Sequence, residues 1–272
     1  DTPTRPWPRM GAIGMGAVPL VVLLFEFWPR GSARGSDRPE DVVRRHVEAI
    51  GGTAAFKAIQ SFRATGTIRR PLDNSSGTIE WLAARPDKAL WRASFPATGT
   101  IEDGFNGQFA WYVDSAKPAD ASHWTGRAYR ERADGAWFDG TLLESDFMKE
   151  MSTFGPETFD GHRVSRARIT LVSGIEQTEF FDLESGLRVA TDATRIGRSG
   201  TQLTRTVFRD YKQFGRVMMP TTIELWIGGA LDHVTTLTSY EFNTVPRSVF
   251  NTPQAIWNLI PPNEGRPDQE RV

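Results

Sequence analysis

From residue 164 to residue 243 the chain repeats one pattern, a short run of alternating apolar and polar residues followed by a turn. Arg168-Ile169-Thr170-Leu171-Val172 leads to Gly174, and Thr178-Glu179-Phe180-Phe181-Asp182 leads to Glu184-Ser185-Gly186. Residues 187–191, 201–211, 218–227 and 231–242 continue it, with Gly228-Gly229 between the last two. Runs of this length, rich in Thr, Val, Ile and aromatics and cut by glycine turns, predict consecutive antiparallel strands with one covered face. The same period governs residues 62–68, 77–83, 88–95, 99–105 and 108–113, with turns at Asp73-Asn74-Ser75-Ser76-Gly77 and Asn106-Gly107.

Helical spacing replaces alternation at residues 39–59. Val42, Val43, Val47 and Ile50, then Phe56 and Ile59 after Gly51-Gly52, form one apolar stripe. Pro39 and Glu40 suit a first turn, and the glycine pair suits a break. His46 lies beside Arg44 and Arg45 with no second histidine at ligand spacing, so it is expected on the surface. Residues 140–151, with Leu142, Leu143, Phe147, Met148 and Met151, predict a second amphipathic helix able to lie over the sheet as a lid. Residues 115–135 lose all periodicity and are expected to form a loop on one rim.

Residues 10–28 are almost wholly apolar or glycine, and Pro19, Leu20, Val21, Val22, Leu23, Leu24 and Phe25 form their centre. This length just spans a bilayer core, and Trp7 and Trp28 flank it where interfacial aromatics sit. Three readings compete: a retained membrane anchor, a cleaved signal peptide and a buried helix. Length favours the anchor. The expected organisation is a tail and transmembrane helix over residues 1–29, a linker at 30–39, an antiparallel β domain at 40–255 and a tail at 256–272.

Composition narrows the function. The net charge of −1 over 272 residues gives no basic face, which argues against nucleic acid as a partner. With no cysteine there is no disulfide framework, thiolate metal site or cysteine nucleophile. His46, His123, His162 and His233 are scattered, and no His-Glu-x-x-His, phosphate loop or Gly-x-Ser-x-Gly elbow is present. Asp160-Gly161-His162 reads as a turn entering a strand. No catalytic residue, cofactor or metal ligand is expected. The unusual supply is aromatic: Trp81, Trp91, Phe95, Phe105, Phe109 and Trp111 crowd one half of the sheet. Such residues either fill a core or line a concave apolar cavity, and they are the candidate cavity residues.

The Ala49-Ile50-Gly51-Gly52 helix end, Phe62-x-Ala64-x-Gly66, Asp103-Gly104-Phe105-Asn106-Gly107 with Ala110-Trp111, and Phe181-Asp182 with Ser185-Gly186-Leu187 resemble the LolA/LolB-like superfamily of periplasmic lipoprotein carriers. Tyr211 with Phe214-Gly215, Met219-Pro220 and Phe250-Asn251-Thr252-Pro253 extend the similarity, which covers roughly residues 40–255. The resemblance implies a mainly β (α+β) fold, a curved antiparallel half-barrel covered by short helices, enclosing an apolar cavity and working in the periplasm. Two functions are then expected. The first is a non-catalytic subunit of the bacterial inner membrane, its single-pass anchor in membrane lipids and its periplasmic domain docked on other subunits of a larger complex such as a photosynthetic reaction centre or light-harvesting assembly. The alternative is a carrier that binds a lipid or lipoprotein acyl chain.

Overall fold

The computed structural model describes residues 37–261, so the apolar segment at residues 10–28, with its anchor reading, lies outside the described residues. Among the described residues no helix is long and apolar enough to cross a membrane. Two short helices open this part, α1 (Pro39–Ala49) and α2 (Thr53–Lys57). Pro39 presets the first turn of α1, and Glu40 and Asp41 face its positive end. The helix stops at Ile50 because Gly51 turns to φ +111°, and this glycine has a packing reason as well. A Cβ there would stand 2.2 Å from the Arg216 carbonyl oxygen, while the Met218 amide donates to the Ile50 carbonyl at 3.0 Å. Only a bare backbone lets the two segments approach so closely.

Five strands follow, β1 (Ser61–Arg70), β2 (Ser75–Ala84), β3 (Lys88–Phe95), β4 (Gly99–Phe105) and β5 (Ala110–Asp114), then the short β6 (Ser122–Trp124). After α3 (Gly126–Ala136) and a 3₁₀ turn at Phe138–Leu142 come β7 (Met148–Phe159), β8 (His162–Leu171), β9 (Glu176–Asp182), β10 (Arg188–Gly197) and β11 (Gly200–Arg209). A small hairpin, β12 (Lys212–Phe214) and β13 (Val217–Met219), precedes β14 (Thr222–Ile227) and β15 (Ala230–Phe242). A 3₁₀ turn at Arg247–Phe250 and α4 (Gln254–Trp257) end the described chain. One 13-stranded sheet is formed in the order β6-β5-β4-β3-β2-β1-β15-β14-β11-β10-β9-β8-β7. All its pairings are antiparallel, and β6 and β7 are left as free edges. It is an open curved sheet, and the strands expected at residues 164–243 are neighbours in it apart from the interposed hairpin.

The chain leaves the sheet at one edge, β6, and re-enters at the other, β7. The segment between them therefore has to cross the sheet, and α3 does so on the inner side, touching β3, β4 and β5 as well as β10. Residues 126–136 were expected to be loop because GRAYRERADGA carries almost no apolar stripe. Tertiary partners hold the helix instead. Buried Glu131 accepts from the Ile196 backbone amide at 2.7 Å, and Arg132 pairs with Asp103 at 3.1 Å while stacking 4.0 Å over Trp124. The helix expected at residues 140–151 is also corrected. The backbone turns left-handed at Leu143 (φ +54°), and β7 starts at Met148. Leu142 and Leu143 enter two different cores, which one continuous helical stripe would not allow. Asp160 and Gly161 do form the turn between β7 and β8.

Alternation divides the aromatic residues between the two faces. Phe62, Ala64, Ile68, Ile79, Ala83, Ala93 and Phe95 form an inner core with Phe56 and Phe138. Leu82, Leu90, Phe109 and Trp111 form a second core on the outer face with Phe250, Ile256 and Ile260 of the C-terminal segment. Ile256 and Ile260, from the stretch after residue 255, pack in that core. Gly104 pairs with Trp111, and a Cβ there would meet the indole at 2.4 Å, so the bare glycine makes room for the ring.

Candidate functional site

The inner face holds one cavity of about 440 Å³, roofed by Trp137, Phe138, Gly140 and Thr141 and reached by α1 through His46 and Ile50. Its volume falls within the roughly 300–1,000 Å³ usual for small-molecule sites. The cavity has two unlike walls.

The first wall comes from β1, β2 and β3. Phe62, Ile79, Trp81, Ala83 and Trp91 line it, and Trp81 and Trp91 are cross-strand partners. Phe62 meets Trp81 edge to face at 5.2 Å, which fixes the ring that faces the cavity. Of the six candidate cavity residues, Trp81 and Trp91 are in this lining. Phe95 is packed in the inner core, Phe105 packs against Tyr129 of α3, and Phe109 and Trp111 are on the outer face under the C-terminal segment. Pleat parity decides this: Trp81 and Leu82 are adjacent in sequence but on opposite faces, and Trp111 shares the face of Leu82.

The second wall comes from β9, β10 and β11, and polar side chains occupy its inward positions. Glu179 pairs with Thr191, which pairs with Thr206, so three polar residues lie in register across three strands. Gln177, Arg188 and Arg195 flank this row, and Tyr211 closes it. Glu179 is fully buried, bonded to the Arg188 guanidinium at 3.0 Å and to the Gln177 amide at 2.8 Å. Arg195 donates to the Gln177 carbonyl oxygen at 3.2 Å and, among the described residues, makes no ion pair within 4.0 Å. The Tyr211 hydroxyl donates to the Arg188 carbonyl at 2.9 Å.

His46 belongs to this wall, 1% exposed, which corrects its expected surface position. Its Nδ1 donates to the Gly186 carbonyl at 3.2 Å, and its ring meets Phe181 at 5.1 Å. Arg44 and Arg45 point away from the core, and the helical stripe of Val42 and Ile50 brings the histidine at the position between them inward.

The electrostatics follow from burial. Burial and the nearby Arg188 charge push the His46 pKa down to about 3, so the imidazole is neutral. Burial works against the Arg188 charge, but Glu179 outweighs it and holds the guanidinium above its ordinary value. Burial lowers the Arg195 pKa and outweighs the opposing charges of Glu131 and Asp134, neither of which pairs with it within 4.0 Å. Tyr211 is pushed up to about 12 by burial, opposed by Arg188. Several polar atoms of cavity-lining residues have no hydrogen-bond partner: His46 Nε2, Trp137 Nε1, Glu179 Oε2, Arg188 Nε, Thr191 Oγ1 and Arg195 Nη1. Among the described residues no group of three or more metal-ligating side chains is present.

Sequence reading missed this wall. Its one signal was local: Gln177 and Glu179 share a strand face with Phe181, mixing polar and apolar residues where a solvated face would be wholly polar.

The sequence matches no protein-family model and no curated protein. Its fold matches solved structures. A LolA superfamily protein from Nitrosomonas europaea aligns over 78% of this chain and 97% of its own, with a TM-score of 0.51 at 12% identity. A DUF1329 family protein from Desulfovibrio piger aligns over 78% and 96%, with a TM-score of 0.50 at 11% identity. The open sheet, the inner cavity and these alignments together establish that the chain has the LolA-like fold.

Proposed function

We propose that this chain is a non-catalytic binding protein that takes an amphiphile, a molecule with an apolar tail and a polar head, into the inner cavity of its sheet. One observation carries the reading: a single cavity of about 440 Å³ has an aromatic wall at Trp81 and Trp91 and a buried polar wall at Glu179, Thr191 and Arg195. A filled core would have apolar side chains in both places, because a buried polar group without a partner costs roughly 1–3 kcal/mol. The acyl chain of a lipid or lipoprotein fits the aromatic side, and the resemblance to periplasmic carriers supports both that class of ligand and a place outside the inner membrane. Installation in a larger membrane assembly rests on residues 10–28, outside the described region. The described surface adds no support, since its exposed large apolar side chains, among them Leu72, Val172, Leu203 and Leu259, lie on separate elements.

Native mass spectrometry of the full chain, purified without harsh detergent, tests the reading. Co-purifying species of lipid mass are expected, together with displacement of an apolar fluorescent probe by long-chain amphiphiles. A bare chain from which no amphiphile displaces the probe would remove the proposal.

A further inference from the structure

Resting on the amphiphile reading, we infer that the β9–β11 wall is a headgroup subsite for a single negative charge, a carboxylate or a phosphodiester, held between Arg195 and Arg188, with the tail against Trp81 and Trp91.

Three observations lead there. First, four of the six unpartnered atoms named above belong to two neighbouring strands of one wall. Arg188 Nε, Arg195 Nη1, Thr191 Oγ1 and Glu179 Oε2 come from neighbouring strands β9 and β10, and all four residues line the cavity. Three of those atoms can donate a hydrogen bond, which suits an oxyanion.

Second, the charges do not cancel within the wall. Glu179 is committed to Arg188. Arg195 has only the Gln177 amide, because the nearby Glu131 carboxylate is already bonded to Arg127 at 2.9 Å and to the Ile196 amide at 2.7 Å. Asp134, also in the lining, accepts from Ser173 at 2.6 Å and makes no ion pair with Arg195 within 4.0 Å. Arg195, partly buried and in contact with no carboxylate, is the cation of this wall whose charge is not directly paired.

Third, the wall sets an upper limit on the charge it accepts. The Glu179 carboxylate repels any anion and already takes up the charge of one of the two guanidinium groups, so a second negative charge on the ligand would go unmatched, while a ligand hydroxyl would suit the unpaired Glu179 Oε2. Beside the aromatic wall His233 packs on Trp91 at 5.7 Å and is bonded to Asp232 at 2.8 Å, whereas the unpartnered donors of Arg188, Thr191 and Arg195 lie on β10, which sets the head toward β10 and the tail toward β2.

The test uses delipidated full-length chain and three ligands with the same sixteen-carbon tail: palmitate, a palmitoyl lysophosphatidylglycerol and hexadecanol. Affinity is read by displacement of a fluorescent apolar probe. Both anions are expected to bind about tenfold or more tightly than the alcohol, the scale of a hydrogen bond to a charged group. Arg195→Gln should abolish that preference and leave hexadecanol binding unchanged. Tighter palmitate points to a free carboxylate as the natural head, and tighter lysophospholipid to a phosphodiester. Equal affinity of the unaltered chain for palmitate and hexadecanol would overturn the inference, as would a preference that survives in a folded Arg195→Gln variant. Should that variant fail to fold, the comparison on the unaltered chain decides alone. If none of the three ligands displaces the probe, the amphiphile reading itself is what has failed.

Discussion

The inner surfaces of β1–β3 and β9–β11 obey the same pleat but opposite chemistry. On β1–β3 the alternate set that faces inward is apolar, while Arg63, Glu80 and Arg92 of the other set form an ion-pair ladder on the outer side that continues to Glu102 of β4. On β9–β11 the inward set mixes Gln177, Glu179, Thr191, Arg195 and Thr206 with Phe181 and Phe208, and apolar Phe180 and Ala190 pack on the outside with Val164. The first arrangement is what burial favours. The second places hydrogen-bonding groups where they are expensive unless something meets them, which is why the second wall and not the first identifies the site.

The sharpest way to break the comparison is to strip each wall's key side chain. Trp111→Ala, on the outer face beside the first wall, should cost about 3–5 kcal/mol in urea unfolding while leaving amphiphile affinity unchanged, because the indole is 1% exposed and outside the cavity. Arg188→Met should lose a similar amount, about 3–5 kcal/mol, because it leaves the fully buried Glu179 carboxylate without its cation. Adding Glu179→Met to Arg188→Met should recover much of that loss. No recovery would mean that the pair matters for packing and not for charge.

Acidification probes the polar wall through His46. His46 is held neutral in the fold, with a pKa near 3, whereas the unfolded chain protonates near the ordinary histidine value of about 6.5. The unfolded state therefore binds the extra proton first, and the His46 contribution to stability should fall as pH drops from about 6.5 toward about 3, by at most about 1.4 kcal/mol per pH unit. His46→Gln should flatten this slope, measured as the shift in urea midpoint with pH. An unchanged slope would show that His46 is not held neutral by the fold.

Smaller effects sharpen the first wall. Gly104→Ala should destabilise by about 1–3 kcal/mol through overpacking against the Trp111 ring. Trp81→Ala should cost less stability than Trp111→Ala, since Trp81 is only partly buried, yet it should weaken tailed ligands while Trp111→Ala does not.

How much was legible varied with how local the deciding interaction is. Strand segmentation and the glycine turns were readable, because a period of two and a positive φ are properties of a few consecutive residues. His46 was misplaced because its burial depends on Gly186, 140 residues away, and on Phe181. Helix α3 was missed because its polar residues are held largely by partners far along the chain, Asp103 on β4 and the Ile196 amide, in addition to the Arg127–Glu131 pair within the helix. Of the aromatic residues Trp81, Trp91, Phe95, Phe105, Phe109 and Trp111, which divide between the two faces, Trp81 and Trp91 line the cavity.

Alternation in the sequence by itself determined a run of antiparallel strands and sorted each strand's residues into two sets, since successive side chains on a pleated backbone must point to opposite sides. Which set faces inward is not a local property. It follows from the curvature of the whole sheet, from α3 crossing its inner side between the two free edges, and from the C-terminal segment covering Trp111 on the outer side. Only those long-range placements turned Glu179, Thr191 and Arg195, polar residues of strands that look solvated in the sequence, into the wall of a buried cavity.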